Sequence, residues 1–177
     1  MPPSHAEPPI EASMKGTAHR ATSLVLDTNC WLDLLVFCDP SVSRLRDALA
    51  CKAITVVSCA PMRDEILHVI NRPWINQRCA PEAVMLDYDR FSTRCKLPPS
   101  RRSRIACSDP DDQIFLDLAI EEAVSALVSK DRQLLRVAKK MRLQFQVEIM
   151  SQASLQFQEH LLRWTQASPA PLHRADV

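Results

Sequence analysis

SLVLDTNCWLDLLV, residues 23–36, sets an apolar run from Ser23 to Leu26 directly before an acid, Asp27, and then returns to apolar residues around Trp31. A run this short and this apolar suits a strand covered on both faces, and the acid marks its end. Similar runs occur at Ile54 to Val57 and at Ser125 to Val128, and a fourth, QVEIM, spans Gln146 to Met150. Helical patterns lie between them. Pro61 opens one, with Met62, Ile66, Val69 and Ile70 as its buried face, because a first helical turn needs no proline N–H; Asn71, Arg72 and Pro73 end it. Another starts near Pro81 and runs through Val84, Leu86, Tyr88 and Phe91, and a third follows Asp112, with Ile114, Phe115, Leu118, Ala119 and Glu122 along one stripe. Strands alternating with helices predict an α/β fold built on a parallel sheet.

Outward from this centre the chain thins. Residues 1–22 carry four prolines and few large apolar groups, too few to offset the entropy of ordering them, and residues 167–177 are similar. The expected folded unit is 23–166, between a flexible N-terminal extension and a flexible C-terminal tail. With 177 residues, 46% of them hydrophobic, one domain has enough apolar surface for a core. No apolar run reaches the roughly 20 residues that span a bilayer, so no membrane partner is expected.

The formal net charge of +1 gives no global basic field, so any grip on nucleic acid must come from local clusters. The seven cysteines form no Cys-x-x-Cys pair and mostly lie in apolar segments, which favours buried thiols in a reducing, cytoplasmic setting over a thiolate zinc site. The sole glycine, Gly16, falls in the extension, which excludes glycine-rich phosphate loops.

Parallel strands all end at one sheet edge, where each connecting helix begins. Asp27 follows the first strand and Asp131 the third, so both emerge there. Asp112 starts the helix leading into the third strand, and Glu65 lies about one turn into the helix after the second. Singly, each has a plain explanation: Asp27 and Asp131 as helix caps, Asp112 as a first-turn acid, Glu65 as a solvated side chain. Asp109 and Asp111 compete with Asp112 for the third position. Together the four acids raise one another's pKa and call for a compensating cation, for which magnesium or manganese, hard and oxygen-seeking, is suited. Such an ion activates water and neutralises phosphodiester charge, so hydrolytic phosphodiester cleavage is the chemistry expected.

Four segments, VLDTNCWLDLLV (25–36), MRDEILHVINRP (62–73), DPDDQIFLDLA (109–119) and LVSKDRQLL (127–135), resemble PIN domains in the same order, and most closely the VapC-like toxin components of bacterial toxin–antitoxin pairs. The resemblance implies a three-layer α/β/α fold with a central parallel sheet of four to five strands, and a metal-dependent endoribonuclease that cuts single-stranded or structured RNA by metal-activated water. It puts the family's acids on Asp27, Glu65, Asp112 and Asp131, with Thr28, Asn29, Ser129 and Asp109 in support. It also implies homodimers and a small antitoxin partner. The chain departs from the family in lacking a glycine near the strand before Asp131.

Arg101, Arg102 and Arg104, just before Asp109, are candidate RNA contacts, with Arg72 beside the middle motif and Arg90, Arg94 and Lys96 as weaker extensions. Of Trp31, Trp74 and Trp164, only Trp74 is placed for stacking on a base. His68, three residues after Glu65, has the spacing of a carboxylate-bridged di-iron motif, but the second copy is missing. Two alternatives stand beside the nuclease: a catalytically silent PIN domain that binds protein or RNA, and phosphoryl transfer of the haloacid dehalogenase type. The latter wants a second Asp two positions after Asp27, where this chain has Asn29.

Overall fold

The computed structural model describes residues 22–95 and 105–167. In chain order the elements are β1 (Thr22–Leu26), α1 (Thr28–Leu35), a 3-10 turn (Pro40–Val42), α2 (Ser43–Ala50), β2 (Ile54–Ser58), α3 (Ala60–Ile70), α4 (Pro73–Asn76) and α5 (Pro81–Phe91). Then come β3 (Ser92–Arg94), α6 (Gln113–Glu121), β4 (Ala126–Val128), α7 (Arg132–Phe145), β5 (Glu148–Met150) and α8 (Leu155–Ala167). Among the described residues the strands form one five-stranded sheet, parallel at every pairing, in the order β3-β2-β1-β4-β5.

Alternation along the strands sorts the side chains into two cores. Leu24, Leu26, Val56, Ala126 and Val128 point to one face, where they meet Trp31, Leu45, Tyr88 and Phe157 from α1, α2, α5 and α8. Val25, Leu127 and Ile149 point to the other and pack against Phe115, Leu116 and Leu118 of α6 and Leu134 and Met141 of α7. Helices therefore cover both faces, giving three layers, as expected from strands with no polar face.

Several expectations need correction. Gln146 is no strand residue: it closes α7 in the left-handed conformation at φ 60°, ψ 24°, its amide donating to the Arg142 carbonyl, and β5 begins only at Glu148. Ser125 likewise precedes β4. Val69 is half-buried rather than buried, and Leu86 points to solvent, 72% exposed, while Met85 takes the core position beside Val84 and Tyr88. Helix α6 is not a one-stripe helix. Leu116 and Asp117 are buried along with Phe115, Leu118 and Ala119, because β1 and β4 cover one side and neighbouring helix and loop the other, and Glu122 is the exposed C-cap.

Four described residues hold positive φ, namely Cys38, Lys52, Ala123 and Gln146, and none is glycine. A Cβ in that region costs about 1 kcal/mol or more. Gln146 is exposed and so contributes little packing in return. Gln146→Gly is expected to raise stability by about 1 kcal/mol in urea unfolding; a loss of stability would show that the Gln146 side chain makes a contact outweighing the strain.

Candidate active site

The strand order places a topological switch between β1 and β4: from β1 the chain winds outward to β2 and β3, then crosses back to β4 and β5. The loops leaving two adjacent strands part there, opening a crevice at the carboxyl edge where ligands of open α/β sheets bind. Asp27 leaves β1 into that crevice and Ser129-Lys130-Asp131 leaves β4 beside it. The Asp27 amide donates to the Val128 carbonyl at 3.1 Å, which continues the β1–β4 ladder into the site.

Asp27 is 3% exposed. One carboxylate oxygen caps α1 by accepting the Cys30 amide at 2.6 Å, and the other accepts the Ser129 hydroxyl. Burial nevertheless pushes its pKa up to about 6; the bonds from Ser129 and Cys30 and the nearby Lys130 charge offset part of that rise, while Asp33 adds to it. The fully buried Ser129 hydroxyl oxygen also accepts the Asp131 amide at 2.9 Å, so one side chain couples the two loops. Asp131 caps α7 through the Gln133 amide at 2.6 Å. The capping explanations of Asp27 and Asp131 therefore hold, and both carboxylates keep lone pairs beyond their caps.

Asp112 occupies the N-cap position of α6 but its side chain makes no capping bond. Its pKa also rises to about 6, through burial first and then through the charges of Asp131, Asp109, Asp27 and Glu65. Of the acids named from the sequence, Asp131, Asp27 and Glu65 thus all act on Asp112. Asp109 accepts the Asp111 amide at 3.0 Å in a local turn. Glu65 lies on the exposed side of α3; burial and Asp111 raise its pKa, while the Thr28 hydroxyl and Arg72 oppose the rise. Thr28 is buried at the first position of α1, and Asn29 beside it is exposed.

A second polar group adjoins the first and was missed in the sequence. Asp33, 6% exposed on α1, accepts Lys130 Nζ at 2.6 Å and Gln152 Nε2 at 2.7 Å. It ties the β4–α7 loop to α1 and to the segment after β5. The available signal was a lone charge between Leu32 and Leu34 in an otherwise apolar helix.

Among the candidate nucleic-acid contacts, Arg72 is exposed just past α3, whereas Arg101, Arg102, Arg104 and Lys96 lie outside the described residues. Arg94 joins Arg63 on Asp89, at 3.2 and 2.8 Å, and Arg90 sits 5.5 Å over the Phe91 ring, so both have structural partners. Trp31 stacks on Tyr88 at 4.5 Å in the core and Trp164 packs against Phe157, while Trp74 is 56% exposed. All seven cysteines are free thiols, but against the expectation of buried thiols only Cys30 and Cys59 are buried, and Cys38 and Cys51 are exposed. No helix among the described residues is long and apolar enough to cross a membrane.

Among the described residues no three His, Cys, Asp or Glu side chains are gathered tightly enough to hold a metal ion as they stand. The donor chemistry nevertheless fits a hard divalent cation: the donors are carboxylate oxygens, and their mutual repulsion, read at Asp112, is what such a cation relieves. The family model described as PIN domain matches residues 23–133, a stretch that contains all four acids. No curated protein and no solved structure matches the chain.

Proposed function

The chain belongs to the PIN-domain family, whose members are generally nucleases and usually use divalent metal ions, and from that premise we propose that it is a magnesium- or manganese-dependent endoribonuclease acting on single-stranded or structured RNA. The observation that carries the reading is Asp112 at the carboxyl edge of the sheet, its carboxyl raised by burial first and then by the charges of Asp131, Asp109, Asp27 and Glu65.

In this reading Asp27, Asp112, Asp131 and Glu65 would hold the metal. When bound, such an ion supplies a water of lowered pKa and neutralises charge on a phosphoryl oxygen. The protein's part is to hold the donors. Ser129 fixes the Asp27 carboxylate against the β4–α7 loop, and the Thr28 hydroxyl steadies Glu65. Lys130, anchored on Asp33, brings positive charge to the rim and favours ionised Asp27. We assign the protein the role of toxin in a cytoplasmic toxin–antitoxin pair, working as a homodimer and blocked by a small protein partner, on the strength of the four ordered motifs.

Purified protein is expected to cleave single-stranded RNA with magnesium or manganese and to lose the activity in excess chelator. Cleavage that survives the chelator sinks the metal-dependent reading. The silent-domain alternative draws on the absence of a closed ligand cluster among the described residues; calorimetric titration in which neither metal binds would favour it. Induction of the protein alone is expected to arrest growth, and unimpaired growth removes the toxin role.

A further inference from the structure

Beside the acid cluster a cleft of about 480 Å³ opens between α3 and the turn that starts α6. One wall is a single face of α3: Glu65, then His68 about 4.5 Å further along the axis at 1.5 Å per residue, then Arg72 just past the helix end. Pro61 and Val69 lie four residues to either side of Glu65 on the same face, and Pro110, Asp111 and Ile114 form the facing wall.

We propose that this cleft seats one unpaired nucleotide next to the scissile bond, its base against the proline and isoleucine walls and its phosphate on Arg72 and His68. The inference rests on the nuclease reading, since the cleft adjoins the proposed cleavage centre only through Glu65.

The cleft divides by chemistry along its length. Its inner end is acidic, with Glu65 and Asp111, and suits a cation rather than a bare phosphate. Its outer end carries Arg72, whose guanidinium takes part in no ion pair among the described residues and whose planar fork matches two phosphate oxygens. Along its walls Pro61, Pro110, Val69 and Ile114 offer apolar surface to a base, and His68, between the ends, offers a ring nitrogen to a phosphate or ribose hydroxyl. The volume is that of a small-ligand pocket and suits one nucleotide, whose base would have to leave a duplex stack to enter. Selection of single strands then follows from fit, with the chain of the substrate tracking α3 from Glu65 towards Arg72.

Binding and cleavage can be tested separately. A labelled single-stranded RNA oligonucleotide is titrated by fluorescence anisotropy, with magnesium present, against protein silenced by Asp27→Asn. Adding Arg72→Ala is expected to weaken binding about tenfold or more, and Ile114→Trp, which fills the cleft without touching a charge, should do the same. Circular dichroism confirms that each variant is folded, and the Arg72 arm stands if the tryptophan does not fit. Lys139→Ala, on the exposed side of α7, serves as the charge control and should change Kd less than twofold. Duplex RNA of the same sequence should bind at least tenfold more weakly than the single strand. The proposal is overturned if Arg72→Ala stays within twofold, if Lys139→Ala costs as much, if duplex binds equally well, or if the silenced parent binds no single strand. Failure of the nuclease reading looks different: the wild type cleaves nothing, while the Arg72 and Ile114 effects on binding persist.

Discussion

The Asp27→Asn protein is expected to cleave RNA on the order of 10³-fold more slowly than the wild type, at saturating magnesium or manganese, and yet to unfold no more easily in metal-free buffer. The two halves of this result have one cause. Asp27 is almost wholly buried, and its pKa is raised from 3.8 to about 6. At 1.36 kcal/mol per unit, this makes the ionised Asp27 of the metal-free protein about 3 kcal/mol less favourable at neutral pH than in the unfolded chain. Asparagine keeps an acceptor for the Cys30 amide and abolishes the ionisation, so part of that cost returns as stability. Wild-type cleavage by this variant would remove Asp27 from the site. A variant clearly less stable than the wild type at pH 8 would mean that the charged bonds from Ser129 and Cys30 outweigh the burial cost.

The wild type, stripped of metal, is expected to lose stability as the pH rises from about 4 to about 6. The sign follows from proton counting: Asp27 and Asp112 stay protonated in the folded chain to about pH 6 but ionise near 3.8 when it unfolds. Between those limits the native state binds more protons, so raising the pH favours unfolding. Glu65 works in the same direction. His160, whose pKa is lowered, works in the opposite one, so the comparison to make is wild type against Asp27→Asn, which shares every other group. The melting temperature of the wild type should fall more steeply between pH 4 and pH 7. Magnesium or manganese should then stabilise the wild type at pH 8, by about 2.7 kcal/mol at a hundred times Kd, and have little effect at pH 4, where Asp27 and Asp112 are protonated. Parallel pH profiles for the two proteins, or metal stabilisation undiminished at pH 4, would refute the linkage.

How much of this was legible in the sequence depended on whether a feature left a local mark. β1, β2, β4 and β5 announced themselves as apolar runs, with ends misplaced by at most two residues at Gln146. β3 left no such mark, because Ser92, Thr93 and Arg94 form a short polar edge strand that exists only by pairing with Val56, Val57 and Ser58. Sheet order left none either, so the sequence supplied a common carboxyl edge for the acids but not the switch point that sets Asp27 beside Ser129. Junction reasoning brought forward Asp27 and Asp131, and the capping role that the sequence also allowed each of them is present. Asp112 feels burial first and then Asp131, Asp109, Asp27 and Glu65, and of these only Asp109 lies in its own segment. Asp33 went unseen because its partners, Lys130 and Gln152, arrive from distant parts of the chain.

That distance has a consequence for when the protein can act. The bond between Ser129 and Asp27 spans 102 residues of sequence, and β1, the first strand made, has its neighbour at the switch point supplied only by β4. A chain growing from the ribosome therefore carries Asp27 long before the segment that ties its carboxylate to the β4–α7 loop has been translated. Contacts of such long range form late, after the loop-closure entropy between them has been overcome. In the nuclease reading, the order of synthesis would thus leave the site unfinished until the β4–α7 loop has emerged.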